Sequence, residues 1–144
     1  MRLSTKVLYG TRFMVDLALR HGHGSSLLRD IAIRQDVSEK YLWQLAASLK
    51  RAGLVRSERG SKGGFGLSKL PREINLKDIF VALEGDIEFG QAGHKSRSGL
   101  SAEPVLAEFW RKLANSFAES LAAVTLEELV DRYRSGEGFI NYEI

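Results

Sequence analysis

The stretch LLRDIAIRQDVSEKYLWQLAASLKRAGLVRSERGSKGGFGL, from Leu27 to Leu67, contains the local signals of four consecutive elements. It predicts a short helix over residues 28–35, a three-residue turn, a longer helix over residues 38–52 and a β-hairpin with a glycine-rich, basic tip. A winged helix-turn-helix has this order of elements. We therefore predict a mainly α-helical fold with a small β-hairpin wing, in which the second helix of the pair reads DNA.

Both ends of the longer predicted helix have capping residues. The Ser38 hydroxyl can accept a hydrogen bond from a free N–H group of the first turn, and Gly53 suits the left-handed position that follows a helix. Apolar side chains at three- and four-residue steps predict a core-facing stripe. Its members are Tyr41, Leu42, Leu45, Leu49 and Ala52. The side chains between them are left free to enter a groove of DNA.

The predicted wing pairs residues 55–59 with residues 65–67. Glycines at its tip let the backbone approach a phosphate or a minor groove closely, while Arg56, Arg59 and Lys62 supply positive charge. The glycine-rich run also resembles a phosphate-binding loop, but such a loop leads into a helix N-terminus and this one leads into a strand. An ordinary solvated hairpin remains the alternative.

Four regions follow from the pattern along the chain. Residues 1–85 are predicted to form the winged helix-turn-helix domain. Residues 86–103 contain three glycines and three serines without periodicity, which predicts a flexible linker. A helical dimerisation region over residues 104–135 and a tail over residues 136–144 complete the chain.

The first predicted helix contains a glycine whose position predicts a close packing contact. The first helix, from Thr5 to about His21, contains Gly10, which costs about 1 kcal/mol relative to alanine in a helix. We therefore expect another backbone to pack closely there.

The helix of the dimerisation region has a large apolar stripe that must be buried, and we predict that a second copy of the chain covers it. Packing on its own domain is the alternative. The stripe comprises Leu106, Phe109, Trp110, Leu113, Phe117 and Leu121.

Composition excludes several classes of protein. The 144 residues include no cysteine, which rules out disulfides, thiolate metal sites and thiol nucleophiles. His21 and His23 have no further metal ligand nearby, and the acids Glu84, Asp86 and Glu88 have no base beside them, so we expect neither a metal site nor an enzyme. No signal peptide and no run of about 18 apolar residues is present, so we expect a cytoplasmic protein without a membrane partner.

Charge is distributed unevenly within the net +3. Residues 1–73 contain 14 Lys and Arg against 6 Asp and Glu, whereas residues 74–144 contain 7 against 12. A basic first half is typical of a nucleic-acid reader, whose cations neutralise phosphates and release counterions.

The chain resembles a known family, the IscR/NsrR/CymR group of bacterial winged-helix repressors, also called the Rrf-two family. The resemblance rests on six segments spread from residue 1 to residue 130. They are MRLSTK at 1–6, RQ at 34–35, VSEKYLWQL at 37–45, LKRAGLVRSERGSKGGF at 49–65, INLKDIFVALEG at 74–85 and TLEELV at 125–130.

The chain departs from the family pattern in two places. Many members hold an iron–sulfur cluster on three cysteines after the LEG segment. This chain has no cysteine there and instead has residues such as Ala92, Ser98 and Pro104, so we expect no cluster and no other cofactor. Relatives often have a carboxylate at the position of Trp43. An indole cannot accept a hydrogen bond from cytosine, so we expect a different operator.

The C-terminal residues suggest a partner. Cysteine-free members of the family include repressors of cysteine metabolism that use cysteine synthase as a partner. The tail FINYEI ends in an isoleucine, similar to the end with which serine acetyltransferases enter the active site of that enzyme. We therefore predict that Tyr142 and Ile144 bind cysteine synthase. A tail that packs as an edge strand or over the last helix is the alternative.

These observations predict a homodimeric DNA-binding transcriptional regulator, a repressor, that binds an inverted-repeat operator in double-stranded DNA. The alternatives are a protein-interaction adaptor and a regulator that senses a small ligand through residues 86–103. The residues predicted to contact DNA are Arg2, Lys6, Ser38, Glu39, Lys40, Tyr41, Trp43, Gln44, Lys50, Arg56, Arg59, Ser61, Lys62, Gly63 and Gly64.

Overall fold

The computed structural model describes residues 2–60, 63–90 and 102–136. Within these ranges the chain forms six α-helices and one two-stranded antiparallel sheet, which confirms the predicted fold class. In chain order the elements are α1 (Thr5–Leu19), α2 (Leu28–Gln35), α3 (Glu39–Arg51), β1 (Val55–Glu58), β2 (Gly64–Leu67), a 3-10 turn (Pro71–Glu73), α4 (Leu76–Glu84), α5 (Glu103–Ala122) and α6 (Leu126–Arg134).

Helix α3 begins and ends where its capping residues predict. The Ser38 hydroxyl accepts a hydrogen bond from the Tyr41 N–H at 3.1 Å, and Gly53 has a φ of 77° after the last turn. The predicted core stripe is correct for Leu42, Leu45 and Leu49, which are buried. It is wrong for Ala52. That residue is the C-cap of α3 and is exposed, because the chain turns away from the core there.

The turn between α2 and α3 is made by a residue in left-handed conformation. Asp36, the C-cap of α2, has a φ of 52°, and its side chain type tolerates that conformation better than most. After it, Ser38 starts α3. This tight connection fixes the angle between the two helices of the helix-turn-helix.

The wing is anchored to the helical core by a third short segment. Strands β1 and β2 pair from Val55 opposite Leu67 to Glu58 opposite Gly64. Ser26, between α1 and α2, exchanges two backbone hydrogen bonds with Phe65, at 2.8 and 2.9 Å. A side chain at Gly64 would collide with the Ser26 carbonyl, so only glycine permits this approach.

The core joins the first four helices to α6. Its largest fully buried side chains include Phe13, Met14, Ile79 and Leu126. Two backbone hydrogen bonds of 2.9 Å, from the Leu76 N–H to the Val124 carbonyl and from the Leu126 N–H to the Ile74 carbonyl, tie the start of α4 to the start of α6. Helix α6 therefore packs with the winged helix-turn-helix domain, although it belongs to the region predicted for dimerisation.

Gly10 meets a side chain and not a second backbone, so that expectation was wrong. A Cβ at this position would collide with the side chain of Leu83, which projects from α4. Glycine in the middle of α1 therefore lets α4 pack close to it.

The predicted linker is described only in part. Residues 91–101 lie outside the described residues, as does most of the tail, including Tyr142 and Ile144. Within residues 86–90, Phe89 is half-buried, with its ring 5.9 Å from that of Phe117 on α5.

Candidate nucleic-acid interface

One face of α3 is exposed along its length. The side chains of Ser38, Glu39, Lys40, Trp43, Gln44 and Lys50 all reach solvent. The opposite face is buried through Leu42, Leu45, Ala46 and Leu49, so the helix cannot rotate without exposing its apolar side. The structure thus brings six of the seven α3-region residues predicted to contact DNA to one accessible surface.

Tyr41, the seventh, packs toward the core. Its ring lies edge-on to Tyr9 of α1, with 6.0 Å between ring centroids. Desolvation raises the pKa of the Tyr41 phenol above its ordinary value of 10.0, and the charges of Tyr9 and Glu84 raise the pKa further. The sequence placed Tyr41 both in the core stripe and among the DNA contacts, and the structure shows the packing contact.

Trp43 is exposed but is not loosely held. Its side chain is 60% exposed, and its ring makes an edge-to-face contact of 5.8 Å with Phe65 of β2. Phe65 in turn is buried and contacts Phe13 of α1 at 6.2 Å. The indole therefore stands at the junction between recognition helix and wing, supported from the core.

The same junction forms a notch, and two of its residues, Trp43 and Lys50, were among the predicted DNA contacts. Ala47, Arg51, Ser57 and Phe65 line it together with Trp43 and Lys50. The spacing of Trp43, Ala47, Lys50 and Arg51 is i, i+4, i+7 and i+8, which places them on one face of a helix. That spacing was available in the sequence, whereas the contribution of β2 required knowledge of how the wing packs.

The basic residues of the wing and Lys50 at the neighbouring end of α3 differ in their hydrogen bonds. Lys50 donates a hydrogen bond of 2.6 Å from Nζ to the Ser57 hydroxyl, which links α3 to β1. Arg56 donates from Nη1 to the Leu67 carbonyl at 2.6 Å and from Nε to Glu58 at 3.3 Å, so it braces the hairpin while remaining exposed. Arg59 follows β1 and is exposed.

The remaining six predicted contacts belong to residues 61–64 and to the N-terminal region. Gly63 and Gly64 return the chain into β2, while Ser61 and Lys62 lie outside the described residues. Arg2 and Lys6 are exposed at the start of α1, and Lys6 lies one turn before Tyr9, the contact of Tyr41.

The predicted dimerisation residues are mostly in solvent. Leu106, Phe109, Trp110 and Leu113, in the first half of α5, are exposed. Phe117 and Leu121, in the second half, are half-buried, and the Phe117 ring packs edge-on to Phe80 of α4 at 5.5 Å. Helix α5 therefore rests on its own domain at one end and leaves its apolar side chains uncovered at the other.

Metal and membrane sites are not found in the described part of the chain. In residues 2–60, 63–90 and 102–136, no three His, Cys, Asp or Glu side chains are grouped so that they could hold a metal ion. Among the helices in these ranges, none combines the length and apolar character needed to cross a membrane.

A helix-turn-helix whose second helix presents an exposed face, flanked by a basic wing, defines a winged-helix DNA-binding protein. Comparison with known families narrows this class. The family model described as "Rrf2: Iron-dependent Transcriptional regulator" matches residues 3–132. The chain belongs to the Rrf2 family of transcriptional regulators.

Individual relatives match over most of their length. The HTH-type transcriptional regulator CymR of Bacillus subtilis (strain 168) is 39% identical over 137 residues, which cover 95% of this chain and 94% of CymR. IscR of Photorhabdus laumondii subsp. laumondii is 33% identical over 131 residues, with 91% and 80% covered.

Solved structures give the same relationship. The structure of CymR (YrzC), the global cysteine regulator of B. subtilis, matches with a TM-score of 0.76 and 37% identity, covering 91% of this chain and 97% of that one. IscR of T. potens matches with a TM-score of 0.75 and 38% identity, covering 92% and 88%. The chain is accordingly a DNA-binding transcriptional regulator from a non-enzymatic family, as predicted.

The family description names iron, but the residues of this chain do not fit a thiolate-bound iron–sulfur cluster. The chain contains no cysteine, and such clusters need thiolate ligands. Of the positions compared with the relatives' cysteines, Pro104 lies in the first turn of α5, while Ala92 and Ser98 lie outside the described residues.

Proposed function

We propose that this regulator is a homodimeric repressor that binds an inverted-repeat operator. The observation that carries the proposal is the uncovered first half of α5. The side chains of Phe109 and Leu113 are 60% and 53% exposed, and those of Val105, Leu106 and Trp110 are exposed beside them. Apolar side chains of this size in one contiguous patch mark a protein interface.

The same molecule offers an apolar groove that such a helix could enter. The groove runs between α1 and the three C-terminal helices, and Leu3 and Leu8 at its rim are 46% and 51% exposed. Its other apolar lining residues include Val15, Phe80, Leu121 and Leu129. A twofold axis would let each copy insert the first half of α5 into the groove of the other, so both apolar surfaces would be covered at once.

A twofold dimer has a direct consequence for DNA recognition. It carries two copies of α3 related by the same axis, so its operator would be an inverted repeat with half-sites spaced by the distance between the recognition helices. Lys40 and Gln44 on α3 would face base edges, while Lys50 and the wing cations would contact phosphates. Its proposed place of action is the cytoplasm, because its proposed ligand is bacterial chromosomal DNA.

The dimer is tested by size-exclusion chromatography with light scattering. Leu113→Asp should convert the dimer into a monomer, because a carboxylate cannot be buried unpaired in an apolar interface. Asn115→Asp adds the same group to an exposed position on the other side of α5 and should leave the dimer intact. A wild-type monomer, or equal dimerisation by both variants, would contradict the proposal.

Operator binding is tested by selection from random DNA. The expected product is an inverted repeat that the wild-type protein retards in a gel, with Leu113→Asp binding at least tenfold more weakly because it has lost the second recognition helix. Failure to select any DNA would favour the adaptor role instead, and binding without salt dependence would count against phosphate-dominated binding.

We further propose that the chain regulates cysteine metabolism in complex with cysteine synthase. Support comes from the similarity to CymR and from the C-terminal sequence ending in Ile144, whose carboxylate and branched side chain would suit an enzyme site for an amino-acid substrate. Calorimetry against cysteine synthase should show binding by wild type, weaker binding by Tyr142→Ala and none after deletion of Ile144. Equal binding by all three, or none by wild type, would contradict the complex.

A further inference from the structure

We propose that Trp43 and Phe65 form an apolar notch that reads the 5-methyl group of a thymine in the operator. The inference rests on the proposed placement of α3 in a major groove, and it names the base that this part of the helix recognises.

The geometry gives the indole a defined position. Trp43 is exposed, yet its ring is held edge-to-face on Phe65, with an interplanar angle of 78°. Phe65 is 6% exposed and is fixed from behind by Phe13, which is fully buried. A side chain that is supported through two successive ring contacts loses little conformational entropy when it binds.

The chemistry of the indole selects among the bases. Its ring carries one N–H donor and no hydrogen-bond acceptor, so it cannot accept from the amino group of cytosine or adenine in the major groove. The rest of its exposed surface is apolar. Thymine is the base that presents an apolar group, its 5-methyl, in that groove. The methyl group of thymine therefore complements the notch.

The charges around the notch favour DNA over an apolar peptide as its occupant. Lys50 and Arg51 line the same notch, two turns after Trp43 on the same helix face. Lys50 is already oriented by its hydrogen bond to Ser57. An apolar wall beside two cations matches a thymine edge next to its backbone phosphate, because phosphates are bound by lysine and arginine.

The experiment replaces each thymine of the selected operator by uracil, one symmetric pair at a time. The two bases differ only by the 5-methyl group. Each substituted pair removes two methyl groups, one per half-site. Wild-type protein should therefore lose affinity by about fourfold for each methyl group, or about sixteenfold for the pair. Trp43→Ala should bind more weakly than wild type and should no longer distinguish thymine from uracil.

Two further variants separate this contact from general weakening. Lys50→Ala should lower affinity for both operators by the same factor and keep the preference for thymine. Trp43→Phe keeps an aromatic wall, so it should retain part of the preference for thymine. If Trp43→Ala fails to fold, the uracil substitutions measured with wild-type protein still test the inference. The inference would be overturned, and the proposed function left standing, if no thymine-to-uracil change weakened binding or if a folded Trp43→Ala variant kept the preference for thymine. A protein that selects no DNA would overturn the proposed function as well.

Discussion

The Asp16 carboxylate of α1 accepts two hydrogen bonds from the Arg34 guanidinium of α2, at 2.8 and 3.0 Å. The Gln35 amide donates a third, at 3.0 Å. The Asp16 side chain is 7% exposed and that of Arg34 is 32% exposed, so the pair lies at the edge of the core. This contact joins the first helix of the helix-turn-helix to α1 and thereby positions α3.

Asp16→Asn should lower the free energy of unfolding by about 2 kcal/mol at pH 7, because Arg34 would lose its charged partner. Burial would raise the pKa of Asp16, but the hydrogen bonds from Arg34 and Gln35 outweigh it and hold the pKa below the ordinary value of 3.8. The stabilisation is therefore fully present above pH 3.8 and is lost as pH falls through the folded-state pKa. Urea unfolding from pH 7 to pH 3 measures both effects.

The control for this variant is Glu128→Gln, which removes a pair with Arg132 that is exposed on both sides. It should change stability by no more than about 0.5 kcal/mol. Equal effects of the two variants, or a loss in Asp16→Asn that grows as the solution is acidified, would contradict the assigned role.

Gly10→Ala should destabilise the protein by about 1 kcal/mol. Alanine has the higher helix propensity by about 1 kcal/mol, but its Cβ would collide with the buried Leu83, and overpacking of a core costs about 1–3 kcal/mol. The variant Leu83→Ala opens space at the same point. In a double-mutant cycle Gly10→Ala should therefore become neutral or stabilising when Leu83→Ala is present. A stabilising effect of Gly10→Ala in the wild-type background would contradict the contact.

The helix-turn-helix and the wing could be predicted because their signals are local. Ser38 and Gly53 act on the turns next to them, and helical periodicity identified the centre of the buried stripe. The same periodicity misjudged Ala52 at the edge of the stripe, since burial there depends on where the next segment runs. It likewise could not show that Phe65 supports Trp43, because that contact joins two elements whose packing no local pattern records.

Protein purified without oxygen should lack the visible absorbance of an iron–sulfur cluster. The reason is chemical, since the chain has no thiolate to bind such a cluster. Absorption spectra and assays for iron and sulfide check the expectation. A reproducible brown preparation with stoichiometric iron and sulfide would contradict it and would require a cluster held without cysteine.

Arg59→Ala should weaken operator binding by about 1–3 kcal/mol if the guanidinium enters a minor groove or reads a base, as its exposed position beyond β1 favours. Contact with a phosphate alone would instead weaken binding to every sequence similarly and lower the slope of log affinity against log salt by about 1. Affinities for the intact operator and for a scrambled sequence, measured between about 50 and 200 mM salt, separate these outcomes. Over this range of salt, about 6–10 phosphate contacts change affinity strongly. Arg132→Ala, on α6, removes an arginine paired with Glu128 and should leave affinity and salt slope unchanged. Unchanged binding by Arg59→Ala would remove the wing arginine from the interface. An equal loss of affinity in Arg59→Ala and Arg132→Ala would indicate reduced protein stability and not the loss of a DNA contact.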